Sequence, residues 1–177
     1  MGGLYMEMIR SLTYALILLT AMAHAQPDLR FFPDTLNPPR PIRIPAIDER
    51  DAIGIALMFI GGFADGTAEM LKFNYKRMDD KWHIRNDQYW NPEISWQNKW
   101  KNGNPAQGEA FWGSSRWFVA TTDQYHAMRW RRNQCVIGAI VLNIGEQKVW
   151  WRYLLEAVMY YLSFTLGFNL AYEVVWN

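Results

Sequence analysis

One cysteine, Cys135, stands in 177 residues, so no disulfide closes within the chain. It lies too far from the N-terminus to be the acylated cysteine of a lipoprotein, and beside Val136 and Ile137 it reads as a small buried apolar residue. Charge of one sign is equally scarce. Eighteen Lys and Arg against seventeen Asp and Glu leave a net charge of +1, which gives no global field to draw nucleic acid. Motifs of high specificity are missing as well: there is no Gly-rich phosphate loop, HExxH, CxxC or Gly-x-Ser-x-Gly elbow. Gly113-Ser114-Ser115 reads as a turn and helix cap rather than a nucleophile. A mean hydropathy of -0.22 is low for a chain that crosses a bilayer many times, yet half of the residues are hydrophobic. The apolar residues must therefore be concentrated in a few segments.

Aromatics are abundant: ten Trp, nine Tyr and nine Phe, a composition that suits a membrane–water boundary or a broad packed interface. Residues 1–25 read as a signal peptide, with Arg10, an apolar run from Leu12 to Met22, and the small–x–small pattern Ala23-His24-Ala25. Residues 26–48 carry six prolines and read as an extended arm. The rest, 49–177, reads as one helical membrane-associated domain.

Within that domain, Asp48 or Asp51 caps a helix that begins near Glu49 and runs through the apolar stretch Ala52–Ala64. Glycines 54, 61, 62 and 66 are costly in a soluble helix, whereas Gly62 and Gly66 form a small-xxx-small pair suited to close helix approach. The strictly apolar part is about 13 residues, short of the roughly 20 of a clean span. Residues 78–113 lose all periodicity and predict an ordered, aromatic-rich loop that folds back on the helices or lies at the bilayer surface. A second helix is predicted from Ser114 or Ser115 to Asn133, followed by the apolar run Cys135–Ile144 and a stop at Gly145. The last segment, Val149–Trp176, contains a twenty-residue stretch whose only charge is Glu173. Its Thr165, Asn169 and Glu173 form a polar stripe expected to face protein or water.

The residues able to carry chemistry form a loose set: Asp65, Glu69, Asp123, His126 and Glu173. Asp65 and Glu69 lie one turn apart, and Asp123 and His126 share a helix face. Gathered inside a bundle, Asp65, Glu69, Asp123 and His126 would suit a divalent metal or a proton relay, although structural ion pairs with arginine or lysine satisfy the same carboxylates equally well. No cofactor is firmly implied. The other candidate is the loop with Trp90, Trp96, Trp100 and Trp112, either a binding surface or rings that pack the loop onto the bundle.

The sequence thus reads as an all-α bundle of about three to four helices, associated with a bacterial-type inner membrane, with the lipid bilayer and other envelope proteins as partners and no nucleic acid. Its expected role is interaction or assembly. The alternatives are a membrane-bound metal-dependent hydrolase and a soluble periplasmic binding module that uses the Trp-rich loop. If the Ala52 helix spans, the arm lies outside and the basic middle region is cytoplasmic.

Overall fold

The structure, a computed structural model, describes residues 47–177; the signal-peptide and most of the arm assignments fall outside them. Its described part is all-α, with a single isolated bridge, Trp100 to Glu109, and no named strand among the described residues. Helix α1 spans Glu49–Trp82, α2 Asp87–Trp90, α3 Pro92–Ser95, α4 Gln124–Leu142 and α5 Trp150–Asn169, the last continued by a π-helical turn over Leu170–Val175. Helices α1 and α5 with its extension are long and apolar enough to cross a membrane.

Helix α1 starts where its cap allows. The Asp48 carboxylate accepts the Asp51 N–H at 2.8 Å and the Asp51 carboxylate accepts the Asp48 N–H, a reciprocal box that satisfies two backbone donors. Its end is set by His83, which takes a left-handed conformation at φ 50°. In between, Asn74 leaves the helical region at φ −138° and kinks the rod, while its amide donates to the Tyr172 hydroxyl at 2.9 Å.

Both long partners pack along α1. Helix α4 runs antiparallel to it: Gly138 meets Leu57, Gly61 meets Cys135, and Asp65 binds Arg132. Helix α5 runs parallel to it, and here the backbones touch. A Cβ on Gly62 would sit 1.9 Å from the Phe164 carbonyl oxygen, one on Gly66 2.5 Å from that of Phe168, and one on Gly167 2.1 Å from that of Phe59. The small-xxx-small reading of Gly62 and Gly66 is therefore a direct helix-helix contact, reciprocated by Ser163, Gly167 and Ala171 on α5. Ser163 adds a hydrogen bond to the Ile55 carbonyl at 2.7 Å.

Farther along α1, Ala64, Ala68, Met70, Leu71 and Met78 with Met128 of α4 form the apolar core, closed by Tyr75, Trp90, Tyr172 and Trp176. Trp176 donates its indole N–H to Thr67 at 2.8 Å and meets Trp82 edge-on at 5.9 Å.

One boundary differs from the sequence reading. The helix expected at Ser114 or Ser115 begins at Gln124, because both serines are spent on the loop: Ser114 donates to the Lys99 carbonyl at 2.8 Å and Ser115 donates to Glu109. The stripe of Thr165, Asn169 and Glu173 is turned away from α1, with Asn169 and Glu173 exposed, since the small residues of α5 take the inner face.

The packing predicts opposite outcomes for two glycines. Gly62→Ala forces backbone apart and should destabilise the protein by about 1–3 kcal/mol. Gly138→Ala meets only the tip of Leu57 at 3.3 Å and should be neutral or mildly stabilising, by up to about 1 kcal/mol, since alanine favours the helix. Thermal unfolding of the purified variants reads both.

Candidate functional site

Three polar assemblies are built on this frame. The first closes the end of the bundle where α1 begins, the α4–α5 turn passes and α5 starts. Lys148 Nζ lies 2.5 Å from Glu146 Oε2, 2.7 Å from Glu156 Oε1 and 3.4 Å from Asp51 Oδ1. Arg152 reaches Asp51 at 2.6 Å and Glu156 at 3.3 Å, and Arg50 reaches Glu146 at 3.0 Å. Arg152 also lies 3.5 Å from Asp48, so three cations face four carboxylates. Asn143 fills the remaining hydrogen-bonding capacity, accepting from Lys148 at 2.7 Å and donating to the Tyr160 hydroxyl at 2.8 Å. Asp51 and Glu156 are buried, as is nearly all of the Lys148 side chain.

Burial alone would pull the Lys148 ammonium down, but hydrogen bonds from it to Glu146 and Glu156 and the charges around it hold it well above the ordinary lysine range. The Glu146 carboxyl is held below its ordinary range, first by the Lys148 hydrogen bond and then, against partial burial, by the charges of Lys148 and Arg50.

The second assembly lies on α4. Asp123, buried, caps the helix through the His126 N–H at 2.9 Å and also holds the His126 ring, with Nδ1 2.7 Å from Oδ2. Thr122 donates to the same carboxylate at 3.1 Å, and Asn98 from the loop anchors the Thr122 carbonyl at 2.8 Å. With Nδ1 taken, Nε2 is the ring atom left to accept or deliver a proton. His126 lines a cleft of about 310 Å³ with Arg116, Trp117, Tyr125, Arg129, Trp130 and Asn133, in which no serine, threonine or cysteine stands. The pair therefore presents a positioned imidazole without an adjacent nucleophile.

The third assembly is the aromatic loop. Lys101 and Ala110 exchange backbone hydrogen bonds with Gly108 and Lys99, and Glu109 accepts the Gly113 N–H at 2.9 Å together with the Ser115 hydroxyl. These bonds, the Ser115 one foremost, hold the Glu109 carboxyl below its ordinary range. The resulting turn displays Trp112 and Trp117, 78% and 77% exposed, beside a cleft of about 410 Å³ that Trp100 and Arg116 also line. Arg116 and Trp117 are shared walls of both clefts.

The sequence-derived residues are distributed over these assemblies rather than gathered. Asp123 and His126 meet. Asp65 is bound by Arg132 at 2.7 Å, Glu69 lies one turn farther along α1, and Glu173 is exposed at the far end of α5 near Asn177. Among the described residues no group of three or more His, Cys, Asp or Glu is placed to hold a metal ion, so Asp65, Glu69, Asp123 and His126 form no joint ligand set. Of the loop tryptophans, Trp90 packs against Trp176 at 6.4 Å, Trp96 is exposed, and Trp100 and Trp112 line the aromatic cleft. Sequence reasoning missed the Lys148–Arg152–Glu156 series, although its four-residue spacing is a legible signal.

Two stability predictions follow from the geometry. Lys148→Met removes the central cation and leaves the carboxylates to share Arg50 and Arg152, and should cost up to about 3–5 kcal/mol. The raised Lys148 contributes fully below its ordinary value of 10.5 and is lost as pH rises through its higher folded value. The depressed Glu146 contributes fully above 4.5 and is lost as pH falls through its lower folded value. Denaturation measured from pH 7 down to pH 3 should show a shallower acid loss in Lys148→Met than in the parent; an unchanged slope contradicts the coupling. Asp123→Ala removes a cap and the hydroxyl and imidazole partners together, and should lower stability by about 1–2 kcal/mol in the same assay.

Compared with known proteins, the chain matches no family model, no curated protein and no solved structure.

Proposed function

We propose that the chain is a membrane-associated helical protein of a bacterial-type cell envelope that serves as an interaction or assembly module, with its ordered loop as the presented surface. The observation that carries this reading is the outward surface of the bundle. On α5 the exposed residues include Leu154, Val158, Tyr161, Leu166 and Leu170, and on α4 Ile137, Ile140 and Val141. Monomeric soluble proteins rarely leave apolar residues contiguous along two helices. Backbone-to-backbone packing through glycine supports it too, because helices in lipid associate by close fit rather than by expelling water. The charged knot around Lys148 bounds this belt on one side, and Arg129, Arg131 and Arg132 bound it on the other, with Trp130 and Trp150 near the borders.

A soluble periplasmic binding module is the second reading, favoured by Trp112 and Trp117 standing out from a hydrogen-bonded turn. A metal-dependent hydrolase has no comparable support, since Asp65 and Glu69 do not join the Asp123–His126 pair in one ligand set among the described residues.

Fractionation separates the two readings. The full chain should stay with the membrane pellet through an alkaline carbonate wash and leave it only in detergent. Release into the supernatant without detergent sinks the membrane reading. If α1 spans with the arm outside, a reporter fused after Gln88 should report the cytoplasm; an external signal reverses that orientation.

A further inference from the structure

The cleft beside His126 has a composition that the interaction reading does not explain. Arg116 and Arg129 line it together with His126 and Asn133, and no carboxylate does; the nearest acid to Arg116 is Glu109, which lines the adjoining cleft. Asp123 lies beneath His126 and is committed to that ring, to Thr122 and to the helix cap. Asp65 is bound by Arg132, and the charges of Asp65 and Glu69 act on Arg129 from α1 without entering the cleft. Arg129 spends one nitrogen on the Tyr125 hydroxyl at 2.8 Å, which fixes the side chain and leaves its other donors free. Trp117 and Trp130, both exposed, form apolar walls.

What lies next to the cleft narrows the ligand. His126, Arg129, Trp130, Asn133, Ile137 and Ile140 fall on one side of α4, and Ile144 continues them in the turn just beyond its end, so the helix presents a single stripe that is cationic at its start and apolar for the rest. From Arg129 to Val141 it rises about 18 Å. Ile137, Ile140, Val141 and Ile144 along it are each more than half exposed. A phosphate held by two arginines, with an alkyl chain running down the isoleucines, matches both halves; a free phosphate would leave the apolar half unused.

We infer that the Arg116–Arg129 cleft binds the phosphate of an anionic phospholipid whose acyl chain lies along the Ile137–Ile140 face of α4 toward Ile144 in the turn beyond it. This rests on the membrane-associated reading and names the chemistry of its surface. The Asn133 amide contributes a donor to the same phosphate, and Trp117 and Trp130 flank the glycerol region.

The test uses the full chain, purified in detergent and stripped of lipid, with intrinsic tryptophan fluorescence as the readout. The probes are monomeric dihexanoyl phosphatidylglycerol and inorganic phosphate. The lipid should bind saturably and at least tenfold more tightly than phosphate. Arg129→Gln and Arg116→Gln should each weaken it about tenfold or more, whereas Arg131→Gln, which removes the same charge from the same helix outside the cleft, should change it less than twofold. Ile137→Ser with Ile140→Ser should weaken lipid binding and leave phosphate binding as it was. Equal affinity for phosphate and lipid, or equal effects of Arg129→Gln and Arg131→Gln, overturns the inference. Because the lipid is monomeric and the protein already solubilised, these outcomes do not depend on the fractionation result, so failure of the cleft and failure of the membrane placement are told apart.

Discussion

At the crossing of α1 and α5 nothing but hydrogen stands between the two main chains at Gly62, Gly66 and Gly167. The rest of the molecule follows from that approach. It brings Ser163 within reach of the Ile55 carbonyl and lets the Trp176 ring hydrogen-bond to Thr67. It also lets long side chains of α5 point outward, since the inner face is occupied by small ones. Each glycine in a helix interior costs about 1 kcal/mol relative to alanine, so the four between positions 54 and 66 of α1 oppose the helix they belong to. Dispersion contacts between closely fitted backbones, and shielding of the helical hydrogen bonds from water, offset that cost.

The two ends of the bundle are made of different materials, and this division organises its surfaces. At the start of α1 the chain is held by charge, with three cations and four carboxylates gathered near the α4–α5 turn. At its far end the chain is held by rings and sulfur-bearing side chains: Met70, Met78, Met128, Trp82, Trp90 and Trp176. Between them runs the belt of exposed isoleucine, leucine and valine. The cleft at His126 sits where the cationic start of α4 meets that belt, so a polar head and an apolar tail find complementary walls within one helix.

Much of this is legible in residues considered one segment at a time. The Asp48 cap, the Gly62–Gly66 pair, the buried Cys135 and the stop at Gly145 depend on local chemistry, and the sequence announces them. Where long-range bonds decide, it does not. Ser114 looks like a helix cap until its hydroxyl is found on the Lys99 carbonyl, fifteen positions earlier. Asp51 looks like the third residue of a helix until Lys148 and Arg152, about a hundred positions later, converge on it. The stripe of Thr165, Asn169 and Glu173 takes the side of α5 away from α1, because residue size sets which face of α5 can approach α1. Asp123 and His126 were legible as a pair because three positions on a helix place them together, whereas Asp65 and Glu69 belong to another rod, where Asp65 is bound by Arg132.

A glycine seam is smooth. Without knobs on one rod and holes on the other, α5 could slide along α1 by a full turn and still find small residues opposite small residues. The knot around Lys148 removes that freedom. Its charges match at a single axial setting, because moving α5 by one turn, about 5.4 Å, would pull Arg152 from Asp51 and strand both ions in a dry interior. Electrostatics here selects the phase of the assembly, as a notch selects one position on an otherwise featureless rail.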